Sequence, residues 1–537
     1  MVTSAHALAT DVGLEVLKNG GNAIDAAVAV AVALAVVYPA AGNLAGGGFM
    51  LIRLADGTAT VIDYRETAPA AATAKMYLDE HGQIIRDKSI KGHLSVAVPA
   101  TIAGLTYALE KYGTKRWADL LAPAVSLAEQ GFFVTYELAE ELKHYSPLLS
   151  QFDESKRVLL RNGNFYREGE LLKQPELAAT LRRLQRNPRD FYEGETAKLI
   201  IEEMRRGKGI ISAEDLKNYR PKERKPLIGT YRGYEIITVP PPSSGGILLL
   251  EMLNMLERYD ISSLGHNSSR KYHLLIEVMK RAFADRAMHL GDADFAPVPV
   301  EKLISKNYAL ELSKNITDSA TPSLQLQTVS FIQSESEDTT HFSIIDRFGN
   351  AVANTYTLNF AYGSGVMVKG AGFLLNNEMD DFAASPGHPN EFKLVQGEKN
   401  AIAAGKRPLS SMTPTILVKN GKPLLVLGSP GGPTIINSVL QVIINYVDHR
   451  MNIRQAVDAP RIHHQWLPDV VRYEPHALSE DVLEALARRG HVFATANSPS
   501  SRSSYIGDVE AVGIDESSGY RLGANDLRKP DSKAAGY

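Results

Sequence analysis

The sequence predicts an α+β fold in which stacked, mostly antiparallel sheets are covered by helices. Three observations lead there. Apolar, β-branched runs come in pairs around short turn signals, as at Asp56-Gly57, Arg347-Phe348-Gly349-Asn350 and Asn420-Gly421. A long middle stretch, roughly residues 100 to 230, carries helical spacing instead. No unit repeats along the chain, which sets solenoids and propellers aside.

In chain order, residues 2–19 have helical spacing and Gly20-Gly21 stops them. Residues 22–37 form an Ala-rich helix suited to tight packing. The glycine-rich stretch 42–48 leads into a strand at 49–52, whose hairpin partner is 58–63. Helices are predicted at 102–112, 117–130 and 172–185. A strand at 231–239 runs into Pro240-Pro241-Pro242-Ser243-Ser244-Gly245-Gly246, and an apolar helix follows at 247–256. Residues 317–338 are polar, rich in Ser and Glu, and read as an exposed tether. Thr339 opens a β-rich section with strands at 341–346, 351–359, 414–419 and 423–427. The turn Gly428-Ser429-Pro430-Gly431-Gly432 then leads into a helix at 435–447.

Composition excludes several functions. At 537 residues the chain can bury one very large core or several ordinary ones. Its net charge is -3 and its 58 basic residues are spread out, so neither a nucleic-acid stripe nor a polybasic membrane patch is expected. The absence of cysteine removes disulfides, thiolate nucleophiles and cysteine zinc sites. The most apolar run, residues 26–37, falls short of the roughly 20 residues a membrane span needs. The first residues lack the basic and apolar regions of a signal peptide. The expectation is therefore a protein that stays inside the cell or one whose leader has been removed.

No G-x-S-x-G elbow, zinc helix or phosphate loop is present. His463 and His464 are adjacent, so they point apart on any regular element, and they read as structural. No metal or cofactor is expected. A threonine hydroxyl needs a base to become a nucleophile. An N-terminal threonine supplies one, because its own α-amine has a pKa near 8. An internal threonine carries an amide there, so the chain must first be cut. Asp338-Thr339-Thr340-His341 fits that requirement, with an acidic tether ahead of a strand. On spacing alone, a threonine at a strand start is simply a good β-former.

Collinear segments along the whole chain sharpen the reading. They are Asp63-Tyr64-Arg65-Glu66, the Pro240 to Gly246 run, Thr339-Thr340-His341-Phe342-Ser343 and Asn376-Asn377-Glu378-Met379-Asp380-Asp381-Phe382. Further on are Lys406-Arg407-Pro408-Leu409-Ser410-Ser411-Met412, Gly428-Ser429-Pro430-Gly431-Gly432 and the ending Ala534-Ala535-Gly536-Tyr537. Together they resemble the γ-glutamyltranspeptidases. The resemblance implies an N-terminal-nucleophile hydrolase fold, a four-layer αββα sandwich. It also implies self-cleavage into a large subunit, 1–338, and a small subunit, 339–537, that share one globular unit. Members of that family are usually exported.

The same resemblance implies roles. Thr339 is the nucleophile and Thr357 the second threonine that supports it. Arg65 and Ser410, with Ser411 beside them, bind the α-carboxylate of a γ-glutamyl donor, a task that suits the planar guanidinium fork. Asn359, Glu378 and Asp381 bind its α-ammonium. Gly431 and Gly432 form the oxyanion hole, which agrees with backbone N–H groups at a strand-to-helix turn. Residues 386–397 resemble a lid loop whose usual tyrosine is Phe392 here. The implied donor is glutathione or a similar compound, with water, an amino acid or a peptide as acceptor. Glutaryl-cephalosporin acylases and poly-γ-glutamate enzymes share the pattern, and so would a binding protein that never cleaves.

Overall fold

Two antiparallel sheets lie face to face in the computed structural model, which describes residues 1–85, 87–326, 339–385, 397–494 and 505–537. The first sheet runs Lys533–Ala535, Val2–Ser4, Thr340–Ile345, Ala351–Thr357, Gly47–Arg53, Ala59–Tyr64 and Lys222–Arg224 from edge to edge. The second runs Arg521–Ala524, Glu510–Ile514, Lys422–Gly428, Thr415–Lys419, Tyr234–Thr238 and Leu227–Tyr231.

Side-chain alternation makes four layers out of these sheets. Phe49 and Leu51 join Ala351 and Ala353 in a core between the sheets, against Ile237, Ile416 and Val426 of the second sheet. Met50, Ile52 and Val352 point the other way, onto helices Ala23–Val37 and Thr101–Tyr112. Leu417, Leu425 and Leu427 face helices Gly245–Leu256, Ser269–His289 and Thr434–Val447. The order is thus helix, sheet, sheet, helix. Strands from before and after residue 339 are intermixed in the first sheet, so the two segments share its cores.

Most predicted elements stand, with three corrections. Residues 2–19 are not one helix: Val2–Ser4 is a strand held between Thr340–Ile345 and Lys533–Ala535, and the helix is Ala7–Lys18 with the His6 ring as its cap. Residues 231–239 are not one strand either. Arg232 and Gly233 take positive φ values of 51° and 83° and fold Leu227–Tyr231 back against Tyr234–Thr238. The segment read as a tether begins under restraint. Side chains of helix Ser269–His289 hold it, with His273 at the Thr317 carbonyl, Lys280 at the Thr321 carbonyl and Glu277 accepting from the Thr321 N–H. Residues 327–338 lie outside the described residues.

The helix 23–37 owes its start to Asn22, whose side chain caps the N–H of Asp25 while Asp25 accepts from the N–H of Asn22. Among the described residues no helix is long and apolar enough to cross a membrane.

Candidate active site

Thr339 directly precedes the strand Thr340–Ile345, and the antiparallel register pairs Thr340 with Tyr356. One step further, Thr357 stands opposite Thr339. Both line one cleft with Arg65, Asn359, Glu378, Asp381, Ser410, Ser411 and Gly432. Residues far apart in the chain therefore meet as the sequence motifs suggested. Gly431 is not among the lining residues. Phe392 lies outside the described residues.

Local structure fixes each wall. Glycines 46–48 let the backbone pass close behind Thr357: a Cβ on Gly46 would lie 1.8 Å from the Thr357 carbonyl oxygen. The Thr357 hydroxyl accepts from the N–H of Asn359 at 2.9 Å. Asn359 has φ +80°, a conformation asparagine tolerates better than most residues, and its amide donates to the Asn377 carbonyl. The acidic run Glu378–Asp381 is a short 3₁₀ helix, and it is not a solvated one, because Glu378 is 0% exposed. Asn376 anchors it by accepting from the Glu378 N–H while donating to the Ala45 and Ala97 carbonyls. The proline-serine run at 240–246 backs the opposite wall. Ser410 N–H donates to the Pro242 carbonyl, and the Ser244 N–H and hydroxyl both donate to the Ser410 carbonyl.

Gly431 and Gly432 have φ values of +123° and +52°, so glycine suits both positions. The Gly431 carbonyl accepts from the N–H and hydroxyl of Thr434, which starts the helix Thr434–Val447. The turn thus sits at the positive end of a helix.

Arg65 is ion-paired to both Glu378 and Asp381, through Nη1 and Nη2 respectively, and Glu66 lies 3.6 Å from Nη1. Both oxygens of Glu66 and one of Glu378 are buried without a hydrogen-bond partner. Burial pushes the Glu66 carboxyl up to about 7, against the pull of Arg65. Burial also raises the Glu378 carboxyl well above its ordinary range, with Glu66 and Asp381 adding to the effect. Burial works against the Arg65 charge, but Glu378, Asp381 and Glu66 outweigh it and hold the guanidinium ionised.

Sequence reasoning missed Arg286, which lines the cleft at 2% exposure, and assigned no role to Glu66. A signal for Arg286 existed. It continues the buried stripe Leu275, Met279, Ala282 at helical spacing, where an apolar residue is expected. His463 and His464 are buried away from the cleft, on Asn437 with Gln465 and on Asp469 respectively.

Beneath the nucleophile lies a polar relay between the sheets. The His341 ring is 2.8 Å from Thr355 Oγ1 and 2.9 Å from Ser343 Oγ, and burial lowers it to about 3, so it is neutral.

The gamma-glutamyltranspeptidase family model matches residues 9–536. The chain is 46% identical over 540 residues to the glutathione hydrolase proenzyme of Escherichia coli (strain K12), covering 100% of this chain and 92% of that one. Among solved structures it resembles a cephalosporin acylase from Bacillus halodurans, at TM-score 0.87 and 29% identity over 100% of this chain and 95% of that one. It also resembles the Helicobacter pylori gamma-glutamyltranspeptidase, at TM-score 0.59 and 46% identity over 60% of this chain and 93% of that one. With the family model spanning nearly its whole length, the chain belongs to the gamma-glutamyltranspeptidase family.

Proposed function

We propose that this protein is a γ-glutamyl hydrolase and transferase that cuts its own chain before Thr339 and then cleaves the γ-glutamyl amide of glutathione and related compounds. The observation that carries the reading is the meeting of Thr339 with a buried set of guanidinium, carboxyl, amide and hydroxyl groups suited to a zwitterion.

In maturation the Thr339 hydroxyl attacks the carbonyl carbon of Asp338. The Thr339 nitrogen takes a proton as its amide bond breaks, and water hydrolyses the resulting ester. Residues 1–338 and 339–537 stay together because their strands interleave. The freed α-amine then serves as base.

In turnover Thr339 Oγ attacks the γ-carbonyl carbon while the α-amine accepts the hydroxyl proton. Thr357, opposite, steadies the nucleophile. The N–H groups of Gly431 and Gly432 meet the developing oxyanion. That proton passes to the leaving amine, and a γ-glutamyl ester on Thr339 remains. Water then yields glutamate, or the amine of an amino acid or peptide yields a new γ-glutamyl amide. Arg65, Ser410 and Ser411 serve the donor's α-carboxylate, and Asn359, Glu378 and Asp381 its α-ammonium.

The test is the intact mass after incubation at neutral pH, paired with release of glutamate from glutathione. Two fragments, the smaller beginning at Thr339, together with turnover are expected. A single uncut and inactive chain would overturn the proposal. A glutaryl donor is the second reading, favoured by the likeness to the Bacillus halodurans cephalosporin acylase. Three carboxyl groups around Arg65 suit a donor that brings an ammonium, so glutamate should compete far better than glutarate.

A further inference from the structure

We infer that Arg286 is a second guanidinium for the donor's α-carboxylate, which it receives on its Nη1 edge beside Ser411. The inference rests on the reading that the donor is a γ-glutamyl compound.

The two guanidinium groups differ in how many donors they have free. A guanidinium offers five N–H groups, one on Nε and two on each terminal nitrogen. The protein already takes four of those of Arg65. Nε donates to the Pro408 carbonyl at 3.3 Å, and Nη2 serves Asp381 and the Leu409 carbonyl. Nη1 donates to Glu378, and its other N–H makes no hydrogen bond but lies on the nitrogen that Glu66 approaches to 3.6 Å. Arg65 thus has at most one N–H left for a substrate carboxylate, and acids surround it.

Arg286 surrenders nothing. Its Nε donates to Ser244 Oγ at 3.0 Å and its Nη2 to Ser411 Oγ at 3.3 Å. Its Nη1 is buried with no partner. Both bonds go to neutral hydroxyls, so no acid at contact distance neutralises the charge among the described residues; the field of Asp381 favours it and that of Arg65 opposes it. Burial lowers this guanidinium to about 10, which leaves it charged at neutral pH. A buried, orphaned donor on a charged group that lines the cleft is the feature a ligand anion would complete.

The geometry also explains the paired serines. Ser411 Oγ accepts from Arg286 and retains a proton to donate to the same carboxylate. Ser244, outside the cleft lining, orients the fork through Nε. Arg65, the first guanidinium, also holds Glu378 and Asp381 in place for the ammonium.

The experiment compares L-γ-glutamyl-p-nitroanilide with its α-carboxamide analogue, in which only the carboxylate charge is lost. Parent, Arg286→Gln, Arg286→Lys and Ser244→Ala proteins are first shown by mass to have fragmented. The parent should prefer the carboxylate donor, and Arg286→Gln should shrink that preference in kcat/KM on the order of thirtyfold, through KM. Arg286→Lys should recover part of it. Ser244→Ala keeps the charge but loosens the fork and should shift the preference in the same direction by less, so the inference stays testable if Arg286→Gln fails to fold. Equal losses on both donors would overturn it and leave Arg286 a wall residue. If the parent cleaves neither donor, the proposed function falls instead. Calorimetry with L-glutamate and its α-amide then decides the matter for Arg286: loss of the glutamate preference supports the inference, and an unchanged preference ends it.

Discussion

Two buried ionic clusters in this molecule differ in how their acids are matched. Around Arg461 and Arg528, both oxygens of Asp526 and of Glu474 accept hydrogen bonds, and what stays unmatched is Arg461 Nε and one oxygen of nearby Asp508. Arg461 Nη2 and Arg528 Nη1 reach Asp526 at 2.7 and 2.8 Å, and Arg528 Nη2 reaches Glu474 at 2.6 Å. Backbone N–H groups of Val509 and Ile506 complete the two carboxylates. Burial works to raise the Asp526 carboxyl, yet Arg461 and Arg528 outweigh it and the net shift is downward. Around Arg65 the balance is reversed: three carboxyl groups share it, two are shifted up, and acceptors on Glu66 and Glu378 stay unmatched. The first cluster is a clamp that ties the C-terminal segment to residues 457–461, 474 and 506–509. The second leaves buried acceptors unmatched beside the cleft, as the proposed donor site requires.

The sharpest way to separate the two is to disable chemistry alone. Thr339→Ala should remain a single chain of 58.6 kDa by intact mass and lose turnover by a factor on the order of 10⁴ or more, with its melting temperature close to that of an uncut parent. Fragmentation of this variant at the same bond would break the self-processing mechanism.

Asp526→Ala attacks the clamp instead. It leaves Arg461 and Arg528 short of a buried partner, and urea unfolding should register a loss of about 3–5 kcal/mol. Donor KM in the folded fraction should hold steady. If KM rose while stability held, the two clusters would not be distinct in kind.

Arg65→Ala should still fragment but bind donor poorly, by about 2–5 kcal/mol read from kcat/KM. Its stability loss should be smaller than that of Asp526→Ala, because burial already works against the charged forms of Glu66 and Glu378.

The smallest effect concerns pH. Glu66 has an ordinary value of 4.5 and a folded value of about 7. Between these limits the folded chain holds a proton that the unfolded chain has released, so this group's contribution is full below pH 4.5 and lost as pH rises to about 7. Glu66→Gln cannot titrate. Relative to the parent it should gain on the order of 1–3 kcal/mol across that window and nothing further above it. A difference that does not change with pH would mean that Glu66 is already ionised when folded.

Much of the site was legible because its residues sit in short motifs that fold locally: Glu378 to Asp381, Ser410 with Ser411, and the Gly431-Gly432 turn. Glu66 was not legible as a candidate site residue, and Arg286 showed only as a charge on an apolar helical stripe, with nothing to say what it faces. Each carries a charge whose meaning depends on partners from elsewhere in the chain, such as Ser411 for Arg286 and Glu378 for Glu66. The misread start has the same origin. Residues 2–4 are extended only because residues 340–345 and 533–535 flank them, and no local pattern reports a neighbour more than 300 positions away.

By itself, then, the sequence determined the period of each element, the α+β class, the threonine at a strand start and the set of polar motifs. These follow from local propensity and spacing, which act within a few residues. Tertiary structure alone decided that Thr357 stands opposite Thr339, that Arg65 spends its donors on Glu378 and Asp381, and that Arg286 keeps an unspent edge in the cleft. Burial is the physical reason: taken out of water, a charge must find its partners through space, and only the folded chain states which ones are within reach.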